Sequence, residues 1–188
     1  RYNGAGDGTQ TSALFFGGTG VSALNESWDG TNWTEVGDLN TAREGLAAAG
    51  TSNTASLAFG GGSPNKTETE SWNGSSWTEV NDLNTARKNL GGVGIITSAL
   101  AFGGQTNGIP TAQVLTESWN GTSWTEVNDM ATARVSMGDG GTASNAITAG
   151  GYDASPPYNN DTEEWEFPPT TQAKLKEGMI FLSGGTTL

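Results

Sequence analysis

The sequence contains neither cysteine nor histidine. Without cysteine, the chain has no disulfides, thiolate metal sites, iron–sulfur centres or cysteine nucleophiles. Without histidine, it lacks the commonest general base near neutral pH and a common transition-metal ligand. Acid–base chemistry is left to carboxylates, lysine and tyrosine. These absences favour a non-enzymatic protein, and we predict no cofactor.

Positive charge is also scarce, with 8 Lys and Arg against 20 Asp and Glu, for a net charge of -12. That charge repels nucleic-acid phosphates and anionic membrane surfaces, so we expect no nucleic-acid partner. The acids are spread along the chain, which is typical of a solvated surface. No apolar run reaches the length of a membrane-spanning helix, and we predict no membrane insertion.

One motif recurs along the chain: Glu-Ser-Trp, Asn/Asp-Gly, Trp-Thr-Glu-Val and Thr-Ala-Arg, in that order, with the last copy incomplete. Each copy has a first tryptophan, and three copies have a second one five residues later: Trp28, Trp33, Trp72, Trp77, Trp119, Trp124 and Trp165. A double glycine closes a short apolar run, and an arginine stands 16 or 17 residues before it: Arg1, Arg43, Arg87 and Arg134. The spacing of 44 to 47 residues between first tryptophans defines one repeated structural unit.

Each unit is predicted to form four short strands, because turn residues interrupt the apolar runs and no segment has a helical period. Gly91–Ile95 is typical of the innermost strand, and Asn73-Gly74 predicts a tight turn between the two outer strands. A four-stranded sheet of this size cannot bury both of its faces alone, so the units must stack as blades of a propeller. We therefore predict an all-β fold in which the tryptophans fill the space between blades.

The double glycine, the two spaced aromatics and the arginine resemble the kelch repeat, although tryptophan stands where kelch units generally have tyrosine. The Trp- and Gly-rich units are also similar to propeller repeats of marine bacteriophage virion or appendage proteins. The resemblance implies a kelch-like β-propeller of four-stranded antiparallel blades, about four of them in this chain. Kelch propellers usually close with six or seven blades, which implies that strands from elsewhere complete the ring.

The predicted blades cover about residues 1–42, 43–86, 87–133 and 134–167, and residues 168–188 form a C-terminal linker or the start of another β module. The last blade lacks its outer strand, because Pro168-Pro169 follows Phe167 and no second tryptophan appears. We expect that strand to come from residues upstream of Arg1. Another chain and the segment Lys174–Leu182 are the alternatives. The apolar segment Gly178–Leu182 is a candidate contact with a neighbouring subunit.

The arginines Arg43, Arg87 and Arg134 recur at one blade position, so we interpret them as structural ion pairs or carbonyl clamps between blades. Glu35, Glu79 and Glu126 recur in the same way and indicate a solvated strand face. Two acidic pairs, Glu163 with Glu164 and Glu126 with Asp129, are the candidates for a catalytic carboxylate pair. Asp and backbone oxygens in the loops suit calcium, but no loop has the spacing of an EF-hand.

Loops that differ between the units are better candidates for binding than the residues that repeat. Two such loops contain the candidate ligand contacts, which are Gln105, Asn107, Tyr152, Asp153, Tyr158, Asn159, Asn160 and Asp161. A merely solvated loop is the alternative at each position.

The leading functional hypothesis is a non-enzymatic structural or interaction module in a phage virion appendage or another extracellular assembly, with host-surface recognition as a further role. Its partners would be other protein subunits, in a homo-oligomer or a virion. The second hypothesis is a carbohydrate-binding, lectin-like adhesin that contacts cell-surface glycans at several equivalent sites. The third is a carboxylate-dependent glycosidase or lyase, which the near-equivalence of the units disfavours.

Overall fold

The structure, a computed structural model, describes residues 1–106, 112–153 and 160–166. The described residues form β-strands and loops without any helix. Four antiparallel sheets are arranged as four blades of a β-propeller, which confirms the predicted fold class. The predicted module at 168–188, including Gly178–Leu182, lies outside the described residues, and the origin of the missing outer strand stays a prediction.

Within each blade, consecutive strands of the chain pair as neighbours. Blades 1 and 2 consist of β1 (Ala5–Thr9), β2 (Ser12–Phe16), β3 (Asn25–Trp28) and β4 (Trp33–Val36), then β5 (Ala47–Ser52), β6 (Ala55–Phe59), β7 (Thr69–Trp72) and β8 (Trp77–Val80). In the linker that enters blade 3, β9 (Arg87–Lys88) pairs with β12 (Gln105–Thr106), which follows the second strand of that blade. Blade 3 consists of β10 (Gly91–Ile95), β11 (Ser98–Phe102), β13 (Thr116–Trp119) and β14 (Trp124–Glu126). Blade 4 has three described strands, β15 (Gly138–Thr142), β16 (Asn145–Ala149) and β17 (Thr162–Glu166).

The outer hairpin of each complete blade is held by a pair of tryptophans directly opposite each other, as Trp72 and Trp77 are on β7 and β8. Their ring centroids are 5.4 Å apart. A four-residue loop joins them, and the Oδ1 atom of Asn73 accepts hydrogen bonds from the backbone N–H groups of Ser75 and Ser76 at 2.9 and 3.0 Å. Gly74 has a φ of 95° in this loop, a conformation that favours glycine. The Asn-Gly signal therefore marks the hairpin, within a loop of four residues.

The inner strands β1, β5, β10 and β15 lie side by side around the propeller axis. Crowding there explains the small residues: a Cβ atom at Gly92 would lie 2.8 Å from the carbonyl oxygen of Ala48 on the neighbouring inner strand. Contacts run from β1 to β5, to β10 and to β15, and within the described residues no comparable contact joins β15 back to β1. The four blades therefore form an open array.

The core lies between the blades. Each blade has a Trp face, which carries its paired tryptophans, and an opposite Leu/Phe face, because alternate residues of a strand point to opposite sides. Trp77 of blade 2 packs edge-on against Phe16 of blade 1, with ring centroids 4.8 Å apart. Trp124 of blade 3 packs against Phe59 of blade 2 in a tilted arrangement, with ring centroids 4.9 Å apart. The Trp face of each blade therefore covers the Leu/Phe face of the blade before it.

Candidate functional surfaces

Three of the repeated arginines, Arg43, Arg87 and Arg134, are buried and bound through their Nη atoms, whereas their Nε atoms have no hydrogen-bond partner among the described residues. The side chain of Arg87 is 0 % exposed, and its Nη1 atom donates to the carbonyl oxygens of Gly103 and Leu115 at 2.9 and 2.7 Å. Its Nη2 atom lies 3.0 Å from Oε1 of Glu117, whose side chain is 2 % exposed. Arg43 and Arg134 make the equivalent contacts, with Glu70 at 2.9 Å and Glu163 at 2.7 Å.

The same glutamates hold the linker that enters each blade. Oε2 of Glu117 accepts hydrogen bonds from the backbone N–H and the Nδ2 atom of Asn84, at 2.7 and 2.9 Å. Glu70 binds Asn40 and Thr41 in this way, and Glu163 binds the backbone N–H groups of Ala131 and Thr132. We call this set of one arginine, one glutamate and one linker the blade clamp.

Each clamp arginine also joins its blade to the blade before it. The carbonyl oxygen of Arg87 accepts a hydrogen bond from the N–H of Gly61 at 2.7 Å, and those of Arg43 and Arg134 accept from Gly18 and Gly104. A Cβ atom at Gly60 would lie 2.8 Å from that Arg87 oxygen, so the double glycine permits the approach. The arginine therefore links blades through its backbone, whereas the hydrogen bonds described for its side chain lie within its own blade.

Electrostatics at the clamps follow from burial. Burial lowers the pKa of Arg43 and of Arg87, and the charges of Glu70 and Glu117 oppose that shift. Burial raises the pKa of Glu163, but hydrogen bonds from Ala131, Arg134 and Thr132 outweigh it, and the net shift is downward. A lowered pKa suits a structural carboxylate rather than a general acid.

The two acidic pairs singled out in the sequence do not form a converging site. Glu163 and Glu164 are consecutive on β17 and point to opposite faces of the sheet. Glu126 and Asp129 are both exposed, and Oδ1 of Asp129 accepts a hydrogen bond from the backbone N–H of Thr116 at 3.3 Å. Throughout the described ranges, no group of three or more acidic side chains is placed to hold a metal ion.

The predicted ligand contacts are divided between two loops, in blades 3 and 4. Gln105 and Tyr152 are half-buried, and both have structural contacts: the carbonyl oxygen of Gln105 accepts from Nδ2 of Asn65 at 2.6 Å, and Tyr152 bridges to Val135. Three further candidates are exposed: Asp153, Asn160 and Asp161. The remaining candidates lie outside the described residues: Asn107, Tyr158 and Asn159.

An axial cavity of about 340 Å³ is lined by the four inner strands. The carboxylates of Asp7 and Asp139 line this cavity. Burial raises the pKa of Asp7 to about 7, although a hydrogen bond from Ser56 at 2.5 Å lowers it. Burial also raises the pKa of Asp139, which accepts a hydrogen bond from the N–H of Gly92 at 2.9 Å. Both carboxylates bind the neighbouring blade, so they too connect blades.

Most of the tryptophans lie where the sequence places them, but Trp33 departs from that pattern. Four are buried between blades, namely Trp72, Trp77, Trp119 and Trp124. Trp28 and Trp165 are half-buried. Trp33 is 51 % exposed, because blade 1 is the first in the array and no described blade covers its Trp face. An open cavity of about 460 Å³ beside Trp33 is lined by Phe15, Leu24, Arg1, Glu26 and Glu35.

Stacked antiparallel blades, a backbone hydrogen bond repeated between blades and an axial cavity place the chain in the class of β-propeller proteins. No protein-family model matches the chain, and a search of curated proteins also gives no match. The kelch and bacteriophage resemblances therefore remain predictions that depend on the repeated residues. None of the described residues forms a helix that is both long and apolar enough to cross a membrane.

Proposed function

We propose that this chain is a non-enzymatic structural and interaction module of an extracellular assembly, of the kind found in phage virion appendages. In this proposal its kelch-like blades serve as a rigid scaffold, and its partners are other protein subunits. Host-surface recognition through the varied loops would be a secondary role.

The observation that carries the proposal is the use of the buried polar groups. Every clamp arginine and its glutamate bind each other and the backbone, so the repeated charged residues stabilise the blades and are not presented to a substrate. The varied chemistry lies instead on surfaces, in the loops and on the uncovered Trp face of blade 1. A scaffold with open faces suits assembly better than catalysis, which needs one asymmetric site.

A direct test is immunogold electron microscopy, with antibodies against the purified chain, on source cells and on particles released into the medium. We expect gold label on an appendage, a virion or another extracellular structure. Label confined to the cytoplasm would contradict the proposal.

The second candidate, a lectin-like adhesin, is favoured by Trp33, whose exposed ring lies beside the carboxylates of Glu26 and Glu35. An aromatic ring next to acceptors suits a sugar. The buried tryptophans between blades leave no equivalent exposed ring at Trp77 and Trp124, so the model of several identical sites is not favoured. A glycan array with the wild-type chain and Trp33→Ala distinguishes the lectin-like adhesin from the structural module. Glycan binding that is lost in the variant would support the lectin.

A further inference from the structure

The first blade presents a Trp face that no described part of the chain covers. Trp33 is 51 % exposed, whereas its counterparts Trp77 and Trp124 are each 5 % exposed because the preceding blade packs on them. Leu24, at the rim of the same face, is 41 % exposed. This face therefore has the residues of an interblade interface, but no described blade packs on it.

The fourth blade presents the complementary surface. Ile147 occupies the position of Leu57 and Leu100, which are each 1 % exposed beneath the Trp face of the next blade. Ile147 itself is 46 % exposed. Among the described residues, the array therefore has two uncovered end faces, the Trp face of blade 1 and the Leu/Phe face of blade 4.

We propose that these two end faces bind each other between copies of this chain, so that the Trp face of one copy packs on the blade 4 face of a second copy. This inference rests on the assembly role proposed above and names the partner. The interface is already built three times inside the chain, between consecutive blades. The copies associate head to tail, in a closed ring or in a longer series.

The internal interfaces define the register of the junction. Nε1 of Trp124 donates to Oγ1 of Thr69 across the interface between blades 2 and 3, at 3.1 Å. The equivalent atoms at the junction are Nε1 of Trp33 in one copy and Oγ1 of Thr162 in the other. Both residues occupy the same positions relative to the repeat.

A second backbone contact follows from the same repeat. The N–H groups of Gly18, Gly61 and Gly104 donate to the carbonyl oxygen of the next clamp arginine. Gly151 is the fourth member of this series, and its N–H donates no hydrogen bond within the described residues. The carbonyl oxygen of Arg1 in the second copy is the acceptor that the repeat assigns to it.

Charge at the junction predicts how salt acts on it. Glu35 lines the cavity beside Trp33 without a described ion pair, Glu26 on the same cavity is paired with Arg1, and Glu164 lies opposite Ile147 on the same face of blade 4. Like charges therefore face each other at the rim. Salt screens such pairs, so added salt strengthens the association, whereas an association driven by opposite charges would weaken.

The test is sedimentation velocity of the full 188-residue chain over a range of concentrations, with variants at each end face. The monomer has a mass of 19.3 kDa, and we expect multiples of it to form as concentration rises. Trp33→Glu and Ile147→Glu each bury a charge at the junction, so each should raise the dissociation constant at least about tenfold. Ile95→Glu is the matched control, because Ile95 is 43 % exposed but lies on the axial cavity and outside both end faces.

Mixing the two variants gives the sharpest readout. A Trp33→Glu chain keeps an intact blade 4 face, and an Ile147→Glu chain keeps an intact Trp face, so the mixture should associate although neither variant does alone. Loss of association in Trp33→Glu but not in Ile147→Glu would mean that two Trp faces meet, and would overturn the head-to-tail arrangement.

A wild-type chain that stays monomeric at every concentration would also overturn the inference. Circular dichroism of each variant confirms that it is folded. The localisation experiment above is independent of these results, so failure of self-association is distinguishable from failure of the proposed function.

Discussion

The most direct prediction on stability concerns the blade clamp of blade 3. In Glu117→Gln, the buried guanidinium of Arg87 loses its counter-ion, and Asn84 loses a charged acceptor for two hydrogen bonds. Breaking a buried ion pair by removing one partner costs about 3–5 kcal/mol, because the remaining charge stays buried without compensation. We expect the free energy of unfolding to fall by an amount in that range.

The chain supplies a matched control at the same repeat position. Glu26 also pairs with its arginine, Arg1, but its side chain is 41 % exposed and no linker N–H is seen to bind it among the described residues. An exposed ion pair contributes about 0–1 kcal/mol, so Glu26→Gln should be nearly neutral. The contrast between the two variants isolates burial from residue type.

The assay is urea denaturation followed by tryptophan fluorescence and by far-UV circular dichroism, because agreement of the two probes tests whether unfolding is two-state. The expected result is a clearly lower urea midpoint for Glu117→Gln and an unchanged one for Glu26→Gln. Equal midpoints for the two variants would refute the reasoning that the buried clamps stabilise the blades.

Two further predictions concern the inner strands. Because burial raises the pKa of Asp7 to about 7, the folded state keeps a proton that the unfolded chain releases, and stability falls as pH rises from about 4 to about 7, by up to about 4 kcal/mol for this group. Asp7→Asn should remove that loss of stability. If the free energies of unfolding of the variant and the wild type differed by the same amount at pH 5 and at pH 8, the prediction would be contradicted. Gly94→Ala should destabilise by about 1–3 kcal/mol, since Gly94 has a φ of 116° and its Cβ would lie 2.3 Å from the carbonyl oxygen of Ser98. Gly140→Ala is the control, because a Cβ atom at Gly140 would meet nothing within 4 Å, and thermal unfolding should show a lower melting temperature for Gly94→Ala than for Gly140→Ala.

The fold was predictable because the repeat carries several independent signals. The Asn-Gly turns, the paired tryptophans and the double glycines each have one structural explanation, and all of them agree with stacked four-stranded sheets. The close approach of the Arg87 carbonyl oxygen to Gly60 gives the double glycine its physical reason. Repetition at a fixed spacing thus carried the prediction of the fold.

The candidate sites were less predictable. Glu117 pairs with Arg87, thirty residues earlier in the sequence, and nothing in a strand pattern distinguishes it from exposed Glu126 on the next strand. Its regular position two residues before the first tryptophan was the available signal. The exposure of Trp33 could not be predicted from its residue type, because it depends on which blade lies at the end of the array. The contact of Asp7 was similarly unpredictable, because Asp7 is a lone acidic residue in an inner strand that is otherwise built from small residues.

Our central claim is that the repeated charged residues stabilise each blade, while the uncovered end faces join copies of the chain. Determining the structure of the purified chain in its assembled state by cryo-electron microscopy tests it most directly. We expect Trp33 of one copy to pack on the face of blade 4 that carries Ile147, beside Ala149 and Thr162 of another copy, with Glu117 and Arg87 paired inside each copy. A structure in which Trp33 remains in solvent, or packs on blade 4 of its own chain, would contradict it.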